Sequence, residues 1–238
     1  MAHMNEHAPN LLDRVVYSMA QVDRLLALNG GTAHRWIDGY TRAGKRYDPV
    51  VRIEPTGDEL VTWGEFVEAR LLSEYRDAGV PLLRMRPAVE RLREQFDARY
   101  PLAHARPYLD VAGQELVLRA QEQTGLAKAL HLVVVRNGQL MLAPQATRFV
   151  ASVDFGTDAV FAERIYPSAH ARSVVIDPRR QFGEPVVRSV PTEVIAEQVR
   201  AGDSMDMIAG LFELSRDEVE DAVRYELAKA RPLTERAA

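Results

Sequence analysis

The chain has 238 residues, 30 Lys and Arg against 34 Asp and Glu, a formal net charge of −4 and no cysteine. Without cysteine there is no disulfide framework, no thiolate nucleophile and no cysteine-bound zinc, and 47% hydrophobic with 27% charged residues is the composition of a folded chain rather than a disordered one. The mild acidity excludes a protein that coats nucleic acid non-specifically, since such affinity comes from many cations on phosphates, so any nucleic-acid contact has to be local.

Met1-Ala2-His3 ahead of Met4 reads as an expression remnant and is left out of the fold reading. Residues 15–106 read as mostly helical. Ser18 caps a helix that turns Val22, Leu25 and Leu26 inward, with Gln21 in capping-box position, and Asn29-Gly30-Gly31 ends it. Thr32 is expected to cap a second, short helix to about Asp38, anchored by Trp36 and Ile37 and closed by Gly39. From Tyr40 to Ile53, short extended pieces flank a turn at Gly44. Pro55-Thr56-Gly57-Asp58 makes another turn before a short strand at Leu60-Val61. Thr62 caps a longer helix to about Asp77, with Phe66, Ala69, Leu72 and Tyr75 on one face. Pro81 opens a further helix from Leu82 to Arg99, kinked or restarted at Pro87.

The pattern then changes. Pro101 and Pro107 mark a linker, and residues 107–175 read as a small antiparallel sheet. Its clearest sign is Asn137-Gly138 between the runs His131–Arg136 and Gln139–Leu142, a hairpin signal. Phe149–Val153, Ala159–Ile165 and Arg172–Ile176 are expected to add strands. Residues 176–231 turn helical again. Thr192 caps a helix to Arg200. Ser204 starts a second with Met207, Ile208 and Leu211 inward. Ser215, with Glu218 in capping-box position, starts a third whose apolar face is Val219, Ala222, Val223 and Leu227. The expected fold class is α+β in three parts: a helix-turn-helix head at 15–106, a β-rich middle at 107–175 and a C-terminal three-helix bundle of helix-turn-helix type at 176–231.

Catalytic chemistry is sparse. The six histidines lack metal-ligand spacing and there is no phosphate-cradling glycine loop. Asp177 and Glu184, seven apart, form a carboxylate pair that nothing nearby completes, and the plainer reading is turn chemistry around Phe182-Gly183. No enzyme, cofactor or metal is expected. The head offers more. Helix, tight turn, short helix and basic turn follow one another in the order of a winged helix-turn-helix, whose second helix presents its N-terminal residues to base edges. Those residues are Thr32, His34 and Arg35. The turn supplies Arg42, Lys45, Arg46 and Arg52, interleaved with Tyr40 and Tyr47, for the phosphate backbone. The alternative is an ordinary solvated loop among Asp38, Asp48 and Glu54. The C-terminal helix-turn-helix opens its last helix with Asp217, Glu218, Glu220 and Asp221, which repel phosphates, so packing, dimerisation or protein binding fits it better. Three of the four surplus negative charges fall in residues 170–238, which leaves DNA contact to the other end.

Two stretches resemble known families. Tyr17–Leu26, Thr32–Ile37 and Leu60–Arg70 resemble a MerR-type winged-helix DNA-binding domain, without that family's Tyr-Arg-x-Tyr signature in the wing. Val174–Arg188, Pro191–Ala196, Ala201–Ser204 and Val219–Ala222 resemble a short prokaryotic domain of unknown function common in antitoxins, with a loop at Ser189-Val190-Pro191 two residues shorter than usual. Together they look like a large VapB-type antitoxin. That resemblance implies a protein that binds a PIN-type ribonuclease toxin and represses its own operon on operator DNA. A homodimer is expected because such readers match two-fold operators, the lack of cysteine fits a cytoplasmic chain, and with no run near 18 apolar residues no membrane contact is expected. Arg179, Arg180 and Arg188 are the candidates for reaching the toxin's acidic site. A ligand-responsive MerR-class regulator without a toxin, and a hydrolase built on Asp177 and Glu184, are the rival expectations.

Overall fold

Ser18 does what its spacing from Gln21 predicts. Its hydroxyl accepts from the Gln21 amide, and the Gln21 side chain accepts from the Ser18 amide. In the computed structural model, which describes residues 11–158 and 160–230, this box opens α1 (Met19–Leu25). Met1–His3, Ala159 and Arg231, which end or fall within expected segments, lie outside the described residues. Ahead of α1 stands a strand that helical periodicity hides, β1 (Val15–Ser18). It is held by antiparallel pairing to a distant partner rather than by a local signal.

A short turn leads to α2 (Thr32–Ile37), and here the local rule is overruled. Thr32 is the first helical residue, and the cap position falls to Gly31. The orphan amides of Gly31 and Ala33 donate instead to the carboxylate of Asp23 on α1, at 2.6 and 2.7 Å. The hairpin β2 (Tyr40–Arg42) and β3 (Lys45–Tyr47) follows, with Ala43 and Gly44 both at positive φ, 50° and 74°, as a two-residue hairpin turn requires. Next, β4 (Leu60–Thr62) pairs with β1, setting Tyr17 opposite Val61. Thr62 and Glu65 form a second capping box on α3 (Trp63–Glu74), whose Trp63, Phe66, Leu71 and Leu72 lie in the core. Pro87 restarts the chain as α4 (Arg86–Phe96), after a 3-10 turn at Leu82–Met85.

The expected linker at Pro101–Pro107 is core instead. Leu102, Ala103 and Tyr108 are buried, and the prolines open a 3-10 turn and the short α5 (Arg106–Leu109). Asp110 caps α6 (Val111–Gln123), a helix in a stretch read as strand-forming. Its buried Gln121 amide donates to the Val133 carbonyl and accepts from the Leu132 and Val133 amides, tying α6 to the hairpin β5 (Val133–Arg136) and β6 (Gln139–Leu142). That hairpin forms as Asn137-Gly138 predicts. Where a strand is expected at Phe149–Val153, α7 (Pro144–Ala151) buries Phe149, and only β7 (Val153–Asp154) is extended.

Among the described residues the chain forms two units. One runs to Ala151 and includes Phe155–Ala162, and the other takes Ser152–Asp154 and everything from Glu163. Residues 107–151 thus add α5, α6, α7 and the second hairpin to the first unit. In the second unit β8 (Arg164–Ile165) pairs with β7. A three-stranded antiparallel sheet follows, in the order β11 (Val190–Pro191), β10 (Val186–Val187), β9 (Val174–Val175). Then come α8 (Thr192–Ala201), α9 (Met205–Phe212) and α10 (Arg216–Ala230). Val174, Val187, Ile195, Ile208, Leu214, Val219, Ala222 and Tyr225 make their shared core. Thr192 does not cap. It is buried inside α8, donating its hydroxyl to Glu226 at 2.6 Å. Met207 and Leu211, expected inward, are 65% and 67% exposed, and Leu227 is exposed too. Ile208 stands opposite the charged Asp206 and takes the buried face of α9, while Met207 and Leu211 lie on an apolar flank beside it. The fold is therefore mixed, helices with small antiparallel sheets.

Asp23→Ala is expected to cost about 1–2 kcal/mol in urea unfolding, since two helix-end amides lose their acceptor. Thr32→Ala should cost only a few tenths by the same measure, and a reversed order would contradict the assignment of the cap to Asp23.

Candidate nucleic-acid interface

The short helix α2 and the β2–β3 hairpin share one mount. Gly39 turns the chain between them at φ 78°, and a Cβ there would meet the Tyr47 carbonyl at 2.5 Å, so only glycine fits. After the hairpin, the amides of Val50 and Val51 donate to the Trp36 carbonyl and that of Arg52 to Ile37, closing the end of α2. From behind, Arg86 donates to the carbonyls of Pro49 and Ile53, and Arg93 to those of Val50 and Val51.

On this mount the expected contact residues divide. Arg35 is exposed and its guanidinium donates to the Thr32 hydroxyl at 2.7 Å. His34 lies 3.8 Å from the Glu59 carboxylate. The hairpin stands in solvent. Tyr40 and Tyr47, directly paired across it, stack with centroids 4.7 Å apart, and the Lys45 ammonium sits 5.3 Å over the Tyr47 ring. Arg42 pairs with Lys45 in register, so both share a face with the tyrosines. Arg46 lies on the opposite face, bonded to Asp48 at 3.0 Å.

Arg52 is a correction. It is 7% exposed and turned inward. Its guanidinium donates to Glu65 at 2.8 Å, to Asp38 and Thr56 at 2.7 Å each, and to the carbonyls of Asp58 and Leu60. Burial by itself would raise the Asp38 pKa, but the Thr56 amide, Arg52 and the Gly57 amide outweigh it and hold the carboxyl below its usual value. Arg52 is therefore a buried cation that fixes the loop 53–60, with no donor aimed at a phosphate. No spacing rule marks this, because its two carboxylates come from α2's end and from α3. The solvated-loop alternative had placed Asp38 among surface charges, whereas Asp38 is part of the buried network.

In the second unit, Asp177 is buried, with Arg164, Arg179 and Arg180 at 3.5, 3.1 and 3.7 Å. Arg179 also pairs with Glu163 at 3.0 Å. Arg188 pairs with Glu218 at 2.9 Å and donates to the Glu213 carbonyl. All three arginines expected to meet a partner are thus partly exposed and internally paired. Among the described residues no group of His, Asp and Glu side chains has the arrangement of a metal site, and no helix is long and apolar enough to cross a membrane.

Comparison with known proteins agrees with this division. Residues 15–89 match a family described as "Putative DNA-binding HTH domain", and residues 174–225 one described as "Protein of unknown function (DUF433)". The uncharacterized protein Rv2308 of Mycobacterium tuberculosis is 42% identical over 224 residues, 91% of this chain and 92% of that one. This chain belongs to the Rv2308 family. A more distant relative from the same organism, named "Putative antitoxin VapB45", is 27% identical over 226 residues, 89% of this chain and 93% of that one. The crystal structure of Rv2018 from M. tuberculosis superposes with a TM-score of 0.72 at 26% identity, over 90% of this chain and 100% of that one. The Rv2308-family chain thus carries a helix-turn-helix match over the basic hairpin and a DUF433 match over the buried Asp177 cluster.

Arg52→Met is expected to destabilise the first unit by about 3–5 kcal/mol, because Asp38 and Glu65 are left buried without their cation. A surface phosphate contact would cost almost nothing in the same thermal or urea unfolding experiment. Deeper in the same unit Glu68 is fully buried, and burial pushes it up to about 7 against the pull of Arg93. A carboxyl raised on folding stabilises below its unfolded value, and that contribution is lost as pH rises through about 7. The loss amounts to about 3 kcal/mol. Glu68→Gln is expected to flatten the fall in unfolding free energy between about pH 5 and pH 8, and an unaltered slope in urea titrations would contradict it.

Proposed function

We propose that the chain is the antitoxin of a type II toxin–antitoxin system. In this reading it neutralises a PIN-type ribonuclease by direct binding and represses its own operon on operator DNA, as a cytoplasmic homodimer without catalytic activity or cofactor. The observation that carries the reading is a solvent-standing cationic hairpin beside a short, well-mounted helix, on a chain 89% of which aligns with a relative named "Putative antitoxin VapB45". The first unit then acts as a MerR-like winged helix. Thr32, His34 and Arg35 meet base edges, and Arg42, Lys45 and Arg46 meet the phosphate backbone. The C-terminal helices act as a helix-turn-helix-type bundle for protein contact, with Arg179, Arg180 and Arg188 toward the toxin. The homodimer belongs to the same proposal, because two-fold operators match two-fold readers.

The second reading is a ligand-responsive MerR-class regulator without a toxin. A cleft of about 400 Å³ in the first unit favours it, lined by Phe96, His104, Arg106, Leu109, Asp110 and Val160.

Co-expression with the neighbouring gene product distinguishes the two. An antitoxin rescues growth and co-purifies with a ribonuclease, and failure of both removes the reading. In a gel shift on the upstream DNA, Arg35→Ala is expected to weaken binding by about 1–3 kcal/mol and relax sequence preference. Arg42→Ala, Lys45→Ala and Arg46→Ala together should lower the salt dependence by about three phosphate contacts. A shift insensitive to all four excludes this interface.

A further inference from the structure

Phe182 is 83% exposed, more than any other large hydrophobic side chain among the described residues. It also sits in an unfavourable backbone. Gln181, Phe182 and Gly183 are consecutively left-handed, at φ 43°, 53° and 75°. That region suits glycine and is costly for residues with a Cβ. Such a conformation persists only where the surroundings impose it, and here they do. The buried Asp177 carboxylate accepts from the Arg179 amide and side chain, Arg180 donates to the Arg188 carbonyl, and the Gln181 amide group donates to the Ser189 carbonyl. The Gly183 and Glu184 amides close the turn onto Arg180 and Gln181. These bonds tie the loop at several points, and the ring it presents is turned to solvent.

We propose that Phe182 is an anchor that inserts into an apolar pocket of a protein partner, while the collar of Arg179, Arg180 and Arg188 meets oxygen acceptors at that pocket's rim. The inference rests on the proposed protein-binding role of the second unit and names the group that carries it. Aromatic and arginine side chains are enriched in protein interfaces, and a preformed loop lowers the entropy cost of binding. The collar's charge favours protein over nucleic acid. Arg164, Arg179, Arg180 and Arg188 are matched by Asp154, Glu163, Asp177 and Glu218. The balanced collar offers phosphates no net cation, yet each guanidinium has more N–H donors than these pairs use, and those donors need carbonyl or carboxylate oxygens.

The test uses the full chain in the organism that carries it, with p-benzoylphenylalanine in place of Phe182. Ultraviolet light is expected to give one discrete adduct to a protein. That protein, identified by mass spectrometry and purified, is then titrated against the wild type, Phe182→Ala and Phe182→Gly. Both variants are expected to lose about 30-fold or more in affinity, with the operator gel shift unchanged. Phe182→Gly should unfold at the same or a higher temperature, because glycine adopts this backbone without strain. An adduct to nucleic acid or to another copy of this chain, no adduct at all, or undiminished affinity overturns the proposal. So does a lowered unfolding temperature for Phe182→Gly, which makes Phe182 a packing residue. If the captured protein is a ribonuclease, both readings stand; any other protein leaves the anchor in place and removes the antitoxin reading.

Discussion

Four pieces of the first unit meet at the guanidinium of Arg52: the end of α2 through Asp38, the loop 53–60 through Thr56 and Asp58, β4 through Leu60, and α3 through Glu65. Burying one cation with two carboxylates is costly unless every donor and acceptor is satisfied. Here backbone carbonyls and a threonine hydroxyl take the donors the carboxylates leave. Asp38 in turn accepts from the Thr56 and Gly57 amides, so the loop cannot swing without exposing buried charge. The consequence lies on the surface. Arg35, Arg42 and Lys45 are long, flexible side chains, but the backbone that carries them is anchored to α3 and α4. The proposed reading of base edges depends on that anchoring, because a contact misplaced by an ångström loses much of its discrimination.

The second unit buries charge for a different end. One carboxylate, Asp177, lies beneath three guanidiniums, and the result is a loop bent into a conformation its residues disfavour. The surface this leaves is apolar at Phe182 and, elsewhere on the unit, at Met207 and Leu211 of α9. The acidic first turns of α10 suit that helix's own N-terminus, where Ser215 and Glu218 close a capping box and Glu218 is held below its usual pKa chiefly by the Ser215 amide. Each unit thus buries charge, the first around Arg52 and the second around Asp177.

Local signals carried much of this architecture. The capping boxes at Ser18/Gln21, Thr62/Glu65 and Ser215/Glu218, the turns at Gly44 and Asn137-Gly138, and the restart at Pro87 need only residues a few positions apart, so the sequence by itself determined them. It also determined that basic residues cluster between Arg42 and Arg52. Wherever the deciding partner is distant in the chain, only the tertiary structure decided. β1 exists because β4 pairs with it. Pro101–Pro107 is core because α3 and α6 enclose it. Asp23, not Thr32, caps α2, because the turn folds one helix's side chain onto the next helix's end. α9 carries apolar residues on more than one face, and packing buried Ile208 rather than Met207 and Leu211. Arg52 shows the limit most clearly. In the sequence it is one more cation of a basic turn. Its role as a buried structural ion rests on carboxylates fourteen residues before it and thirteen after, and no periodicity links those positions.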